Sequence, residues 1–302
     1  MGGRRPRDRK NRGLALLSFF KGEKGRLPRR IALGLAALIA VLLIANALRP
    51  EPLLMNSAEV ATVWDYGALR VGLRNDVPGM SENGEGLETE LAALLSERIL
   101  SYNKSWTGDN IPLDVVSVNA MTVAARLSDG SIDAALCLMP AGANSAYAYS
   151  SSYYSDPCRF LVLPGNEGKP LVNMTLGCIQ SASGTNLYIP SGAVYNKLAS
   201  YITDHPEDGL GEKPVGFASY EDLFRALDAG AVDAIYLNGL MMKKYPETEA
   251  YAVHPADGGS LSYAVATLAA NSAIATLADM MLTEMKETGA LDALLKKHGL
   301  AG

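Results

Sequence analysis

Cysteine and histidine are the side chains of this sequence best suited to bind metals or act as nucleophiles, and there are three of each. The histidines are far apart along the chain, and no two cysteines have the spacing of a metal or redox motif. Cys137 lies in an apolar run, where a reduced cysteine typically belongs to the core. Cys158 and Cys178 could form one disulfide, which sequence alone does not decide. We therefore predict no metal site, no cofactor and no catalytic residues, and the chain is not predicted to be an enzyme.

The charge of the chain is distributed unevenly. Residues 1–30 contain eleven Lys and Arg against two acids, a net charge of +9, whereas the remaining 272 residues carry −14. Nucleic acid phosphates are bound mainly by Lys and Arg, so a body this acidic argues against nucleic-acid binding. With 302 residues, of which 48% are apolar and 20% charged, the chain is long enough for two domains or one domain of two lobes. The composition excludes bulk disorder.

An apolar stretch at residues 31–48 follows the basic head. It contains no charge and, as a helix, is about 27 Å long, just enough to cross the hydrocarbon core of a membrane. The excess of bases before it predicts a cytoplasmic head and an extracytoplasmic body. A cleaved signal peptide is the alternative, because Ala45-Asn46-Ala47 has the pattern of a cleavage site. We favour a retained anchor, and hence a single-pass protein of the cell membrane.

Short strands and helices alternate after a linker at residues 49–59, and their order predicts the fold class. Leu69–Leu73, Leu113–Val118 and Ile132–Leu138 have the pattern of strands. A helix with apolar residues at helical spacing follows the first strand, and Asn119 begins a second helix that ends at Gly130. This β-α-β-α-β order is typical of a parallel sheet covered by helices, so the chain is predicted to be an α/β protein.

An internal echo predicts that the chain contains two such units. The run from Arg126 to Ala134 recurs, with similar residues, from Arg225 to Ala234. Each copy ends a helix at a glycine and starts a strand with an aspartate. A final helix is predicted over residues 271–298, interrupted at Gly289.

Seven segments in order resemble extracytoplasmic solute-binding proteins of family 3, which serve ABC importers of polar amino acids. They are LRVGLRNDVPGMS, GLETELAALLSERI, ARLSDGSIDAAL, YSSSYYSD, LGCIQSASGTN, SYEDLFRALDAGAVDAIYLN and EMKETGALDALLKKHG. The resemblance implies a two-lobed periplasmic-binding-protein fold of type 2, with a small solute held in the cleft. It also implies that residues 60–160 and 254–302 form lobe one and residues 161–253 form lobe two.

The sequence departs from this family where the family binds an amino acid. Where the family has the arginine that holds the α-carboxylate, this chain has Asn144 and Ser145, and where it has the aspartate that holds the ammonium, this chain has Asn238. Arg74 is a base directly after the first strand. Together with Asp76 it resembles the residues found at these positions in family members that bind acidic amino acids. The resemblance thus implies these ligand-binding residues: Arg74, Asp76, Met80, Cys137, Leu138, Asn144, Ser145, Gly184, Thr185, Asn186 and Asn238. Because unpaired buried charges are costly, we expect neutral amino acids to bind weakly and an anion or an uncharged polar molecule to be preferred.

The resemblance implies a receptor that captures a small polar solute and delivers it to ABC permease subunits. A membrane-tethered sensor, or a solute binder that has lost its transport role, is the alternative. A dehydratase-like enzyme on the same fold is a more distant possibility, because no nucleophile–base pair is visible in the sequence.

Overall fold

The computed structural model describes residues 51–108, 113–119, 121–180, 191–210 and 213–301. The strands are β1 (Leu69–Leu73), β2 (Asp76–Val77), β3 (Ser81–Glu82), β4 (Leu113–Ser117), β5 (Ala134–Leu136), β6 (Tyr147–Val162), β7 (Leu176–Ile179), β8 (Val215–Phe217), β9 (Ala234–Asn238), β10 (Ala252–Val253) and β11 (Ser260–Leu268). The α-helices are α1 (Glu51–Leu54), α2 (Ala58–Tyr66), α3 (Leu87–Ser101), α4 (Val123–Ser128), α5 (Ser191–Asp204), α6 (Tyr220–Asp228), α7 (Gly239–Lys244), α8 (Ser272–Thr288) and α9 (Ala290–Lys297). Short 3₁₀ turns lie at Pro206–Asp208, Pro246–Ala250 and Ala269–Asn271.

The main sheet contains two parallel groups of strands that are joined by two antiparallel strands. Its order is β4-β1-β5-β11-β6-β9-β7-β8, and β10 pairs with β6 outside this path. We call β4-β1-β5 the first group and β9-β7-β8 the second group, because the strands within each group are parallel. In each group the strand that comes first along the chain lies in the middle. The predicted α/β class is therefore confirmed, with a sheet that is mixed rather than purely parallel.

The predicted echo has the same structural role in both groups. Gly130 and Gly230 have φ values of 70° and 66°, the left-handed conformation that ends a helix without steric cost only in glycine. Asp133 then accepts a hydrogen bond from the N–H of Arg70, and Asp233 accepts one from the N–H of Thr175. Each aspartate therefore ties the third strand of its group to the start of the first.

Strands β6 and β11 connect the two groups. β6 pairs with β11 from Tyr147 to Pro157, and then pairs with β9 from Cys158 to Leu161. The change of partner therefore lies at the step from Pro157 to Cys158. The division into lobe one (residues 60–160 and 254–302) and lobe two (residues 161–253) stays a prediction, because Leu53–Gly302 forms one compact unit.

Helix faces and helix ends follow the sequence pattern closely. Helix α8 buries the predicted stripe of Ile274, Leu277, Met281 and Met285, and it ends at Gly289, where α9 begins. Helix α4 is shorter than predicted, since its regular part begins only at Val123. Asn119 caps the turn before it: its side chain accepts hydrogen bonds from the N–H groups of Met121 and Thr122, and its carbonyl accepts one from the N–H of Val123. None of the helices in the described ranges is both long and apolar enough to cross a membrane. The membrane span predicted at residues 31–48 lies outside those ranges.

Candidate functional site

The candidate site lies at the carboxyl ends of the parallel strands, where open α/β sheets typically bind ligands. Arg74 directly follows β1, and Cys137 and Leu138 directly follow β5. In the second group, Asn238 is the last residue of β9, and Tyr220 begins the helix that follows β8. The two sets of strand ends are connected by a network of charges.

Arg74, Asp76 and Lys244 form the charged part of this network. The Arg74 guanidinium donates two hydrogen bonds of 2.8 Å to the two carboxylate oxygens of Asp76. The Lys244 ammonium, at the end of α7, donates to the same carboxylate. The contacts thereby join Arg74, which follows a strand of the first group, to Lys244, which lies on the helix after a strand of the second group. The three side chains together carry a net charge of +1.

Protonation equilibria in the trio follow from these contacts. The Arg74 guanidinium, and after it the Lys244 ammonium, hold the pKa of the Asp76 carboxyl far below its usual range, although burial opposes the effect. Burial works against the charge of Arg74, but Asp76 outweighs it and raises the pKa of Arg74. The Arg74 side chain is only 16% exposed, so it is not a solvated loop residue. Both partners are therefore ionised at neutral pH.

Aromatic rings lie beside this trio. Tyr220 stacks on Tyr245 with ring centroids 4.3 Å apart, and the Lys244 ammonium lies 5.9 Å from the centroid of the Tyr245 ring. Burial raises the pKa of the Tyr220 hydroxyl well above its usual value, and the charges of Arg74, Asp76 and Asp156 also act on it. Tyr220 therefore lies within electrostatic range of both the charged trio and a second acid, Asp156.

Asp156 and Asn238 form a buried polar pair next to the step at which β6 changes partner. Both residues are completely buried. The Asp156 carboxylate accepts hydrogen bonds from Asn238 Nδ2 at 2.5 Å, from the Tyr263 hydroxyl at 3.0 Å and from the N–H of Leu240 at 3.1 Å. Burial raises the pKa of Asp156, and these donors oppose the rise. An acid therefore lies directly beside the position that the sequence leaves uncharged.

Glu88 forms a second buried acid site in the first group. Its Oε1 accepts hydrogen bonds from the N–H of Leu138 at 2.9 Å and from the Tyr153 hydroxyl at 2.5 Å. Its Oε2 is buried and has no hydrogen-bond partner among the described residues. Burial is the main reason that the pKa of Glu88 rises to about 7, and the two donors and Arg74 oppose the rise. Ionised and neutral forms of Glu88 are therefore both accessible near neutral pH.

The remaining predicted residues divide into three sets. Asn144 and Ser145 are exposed on a turn, where the Asn144 side chain accepts a hydrogen bond from the N–H of Ala146. Met80 and Cys137 are buried in the core, and burial raises the pKa of the Cys137 thiol well above its usual value. Gly184, Thr185 and Asn186 lie outside the described residues.

The cysteines are buried, and the histidines contact separate parts of the chain. Cys137, Cys158 and Cys178 are all buried and free, so the disulfide left open by the sequence is not formed. Each histidine contacts a different part of the chain: His205 the Tyr201 carbonyl, His254 the Lys169 carbonyl and His298 the Glu90 carboxylate.

Sequence reasoning missed four residues of this site: Glu88, Asp156, Tyr220 and Lys244. A signal existed for two of them. Asp156 is an acid at the end of a run of tyrosines and serines that forms β6, and Glu88 is an acid on the apolar side of α3. Acids at core-facing positions are rare unless they are hydrogen-bonded, and they merit attention for that reason.

Solved structures share this fold at low sequence identity, although no protein family model matches the sequence. A variant of ArgBP from T. maritima has a TM-score of 0.55 and 21% identity, over 79% of this chain and 98% of that one. An amino acid ABC transporter substrate-binding protein from Streptococcus pneumoniae, bound to L-arginine, has a TM-score of 0.54 and 17% identity, over 80% and 98%. The ancestral amino acid-binding protein AncCDT-1, a precursor of cyclohexadienyl dehydratase, has a TM-score of 0.56 and 17% identity, over 80% and 99%. The chain is therefore an α/β protein with the fold of periplasmic amino acid-binding proteins.

Proposed function

We propose that this protein is the extracytoplasmic solute-binding component of an ABC-type importer, and that its solute is a small organic anion such as an acidic amino acid. The fold supports the general role, because similar structures include substrate-binding proteins of amino acid ABC transporters. The observation that carries the choice of solute is the Arg74–Asp76–Lys244 trio, with its net positive charge at the ends of both strand groups. No catalytic role is assigned to any residue.

The charge of the trio determines which solutes are favoured. An anion placed beside Arg74 and Lys244 gains from both cations, whereas a cationic solute is repelled by the surplus charge. Low exposure strengthens this discrimination, because the Arg74 and Lys244 side chains are only 16% and 22% exposed. L-Arginine, which the similar protein from Streptococcus pneumoniae binds, is therefore expected to bind this chain poorly.

Calorimetry and thermal shift on the purified full-length chain test this proposal. We expect L-glutamate or L-aspartate to bind, and a solute at one hundred times its Kd to stabilise the protein by about 2.7 kcal/mol. Arg74→Ala should abolish that binding, whereas Arg126→Ala, on the surface of α4, serves as a matched control. Tight binding of L-arginine or of a neutral amino acid, unaffected by Arg74→Ala, would contradict the proposed solute.

Closure of two lobes around the solute is part of the proposal. Strands β6 and β11 are the connections that would bend, because they link the two strand groups. Small-angle scattering should show a smaller radius of gyration when the solute is added. An unchanged profile with a solute already shown to bind would argue against closure.

A membrane tether and permease subunits complete the proposed assignment. The basic head and the apolar stretch at residues 31–48 are the features that support the tether. We expect the protein to fractionate with membranes and to keep its head. N-terminal sequencing that began at Leu48 would instead show cleavage after Ala47 and a released protein.

A further inference from the structure

Glu88 holds together helix α3, the end of β5 and strand β6. It is the second residue of α3, its carboxylate accepts from the N–H of Leu138 after β5, and it accepts from the Tyr153 hydroxyl on β6. All three residues are at most 1% exposed. The carboxylate therefore positions the end of β5 relative to a strand that connects the two groups.

The backbone at Leu138 shows why this hydrogen bond matters. Leu138 has a φ of 59°, a left-handed conformation that is costly for a branched apolar residue. The next residue, Met139, accepts a hydrogen bond from the N–H of Ala264 on β11. The strained turn thus lies between the Glu88 carboxylate and β11, beside the candidate site.

Few charged or titratable groups act on Glu88. In the described ranges they are Arg74 after β1, Cys137 after β5 and Tyr153 on β6. Arg74 also belongs to the trio with Asp76 and Lys244. Counting Glu88 with that trio gives a net charge of zero when Glu88 is ionised and +1 when it is neutral.

We propose that Glu88 is the positioning residue of this site and that binding of an anionic solute beside Arg74 is coupled to uptake of one proton by the Glu88 carboxylate. The inference rests on the proposed function. An anion at Arg74 offsets the positive charge that favours ionised Glu88, so the neutral form is favoured in the complex. The proton comes from solvent. Oε2, which has no hydrogen-bond partner in the described part of the chain, can take it without loss of the two hydrogen bonds at Oε1.

Binding of L-glutamate to the full-length chain between pH 6 and pH 8 tests the coupling. We expect affinity to fall by about three- to tenfold over this range, because a proton that binds about tenfold more tightly in the complex makes the solute bind up to tenfold more tightly at low pH. Glu88→Gln retains an oxygen that accepts both hydrogen bonds but does not titrate, so its affinity should be independent of pH. Glu90→Gln, on the same helix but in contact with Lys297 and His298, is the matched control and should keep the slope.

Urea unfolding without solute keeps the two proposals separable. The pKa of Glu88 is higher in the folded chain than in the unfolded chain, so its contribution to stability is largest at low pH. That contribution should decline between about pH 4.5 and pH 7 in the wild type relative to Glu88→Gln. If Glu88→Gln does not fold, Tyr153→Phe removes one donor to the carboxylate and should move the decline to higher pH.

The outcomes point to different errors. Equal pH slopes of glutamate affinity in wild type and Glu88→Gln would overturn the coupling. The same pH dependence of the free energy of unfolding in wild type and Glu88→Gln would overturn proton uptake by Glu88. Failure of every variant to bind glutamate would instead overturn the proposed solute, and the unfolding profiles would still decide the role of Glu88.

Discussion

Asn238→Asp is the change whose cost can be worked most directly from the structure. The Asn238 Nδ2 lies 2.5 Å from Asp156 Oδ2, and both residues are completely buried. Two carboxylates at that separation would repel by about 7 kcal/mol at an effective dielectric constant of about 20. One of them takes up a proton instead, which for an ordinary aspartate costs about 4 kcal/mol at pH 7 and about 1.5 kcal/mol at pH 5. We therefore expect a loss of stability of about 3–4 kcal/mol at pH 7 and roughly 1 kcal/mol at pH 5.

Urea unfolding followed by circular dichroism at both pH values measures this loss relative to the wild type. Because the folded variant retains a proton that the unfolded chain releases, its stability must rise as the pH falls. Asn144→Asp makes the same chemical change on an exposed turn and should cost less than about 0.5 kcal/mol. The double variant Asp156→Asn with Asn238→Asp restores a single acid and should recover part of the loss. A cost below about 1 kcal/mol at pH 7, or an equal cost at both pH values, would refute the reasoning about the buried pair.

Three further results are expected. Lys244→Met should destabilise the protein by no more than about 1 kcal/mol, because Asp76 is half exposed. The loss should shrink in high salt, which urea titrations at two salt concentrations would show, and it should persist to a pH well below about 4, because the folded protein holds the pKa of Asp76 far below its usual range. Glu59→Ala removes the acceptor for the first N–H groups of α8 and should cost about 1–2 kcal/mol in the same assay, whereas Glu59→Gln should cost less. A thiol reagent should label none of the three cysteines, Cys137, Cys158 and Cys178, in the folded protein and all of them after unfolding. Labelling of only one cysteine after unfolding without reductant would instead reveal a disulfide between the other two.

The sequence by itself determined the local elements and their repetition. The strand Leu69–Leu73 has the predicted bounds, since alternation and turn residues act over a few neighbouring positions. Gly130 and Gly230 end helices as predicted, because the left-handed turn depends on the glycine itself. The repeated aspartates after those glycines also indicated two equivalent groups of strands before any pairing was known.

Only the tertiary structure decided which groups meet at the candidate site. The partner of Asp76 on the second group, Lys244, is 168 residues away along the chain, and Asp156 and Asn238 are 82 residues apart. These contacts depend on the register of β6 against β9, which pairs Cys158 with Asn238 and so places the preceding Asp156 within reach. Sequence patterns record how a residue relates to its near neighbours, whereas register and packing decide which distant charges become partners. For that reason a site that the sequence leaves uncharged at Asn238 contains a buried acid beside it.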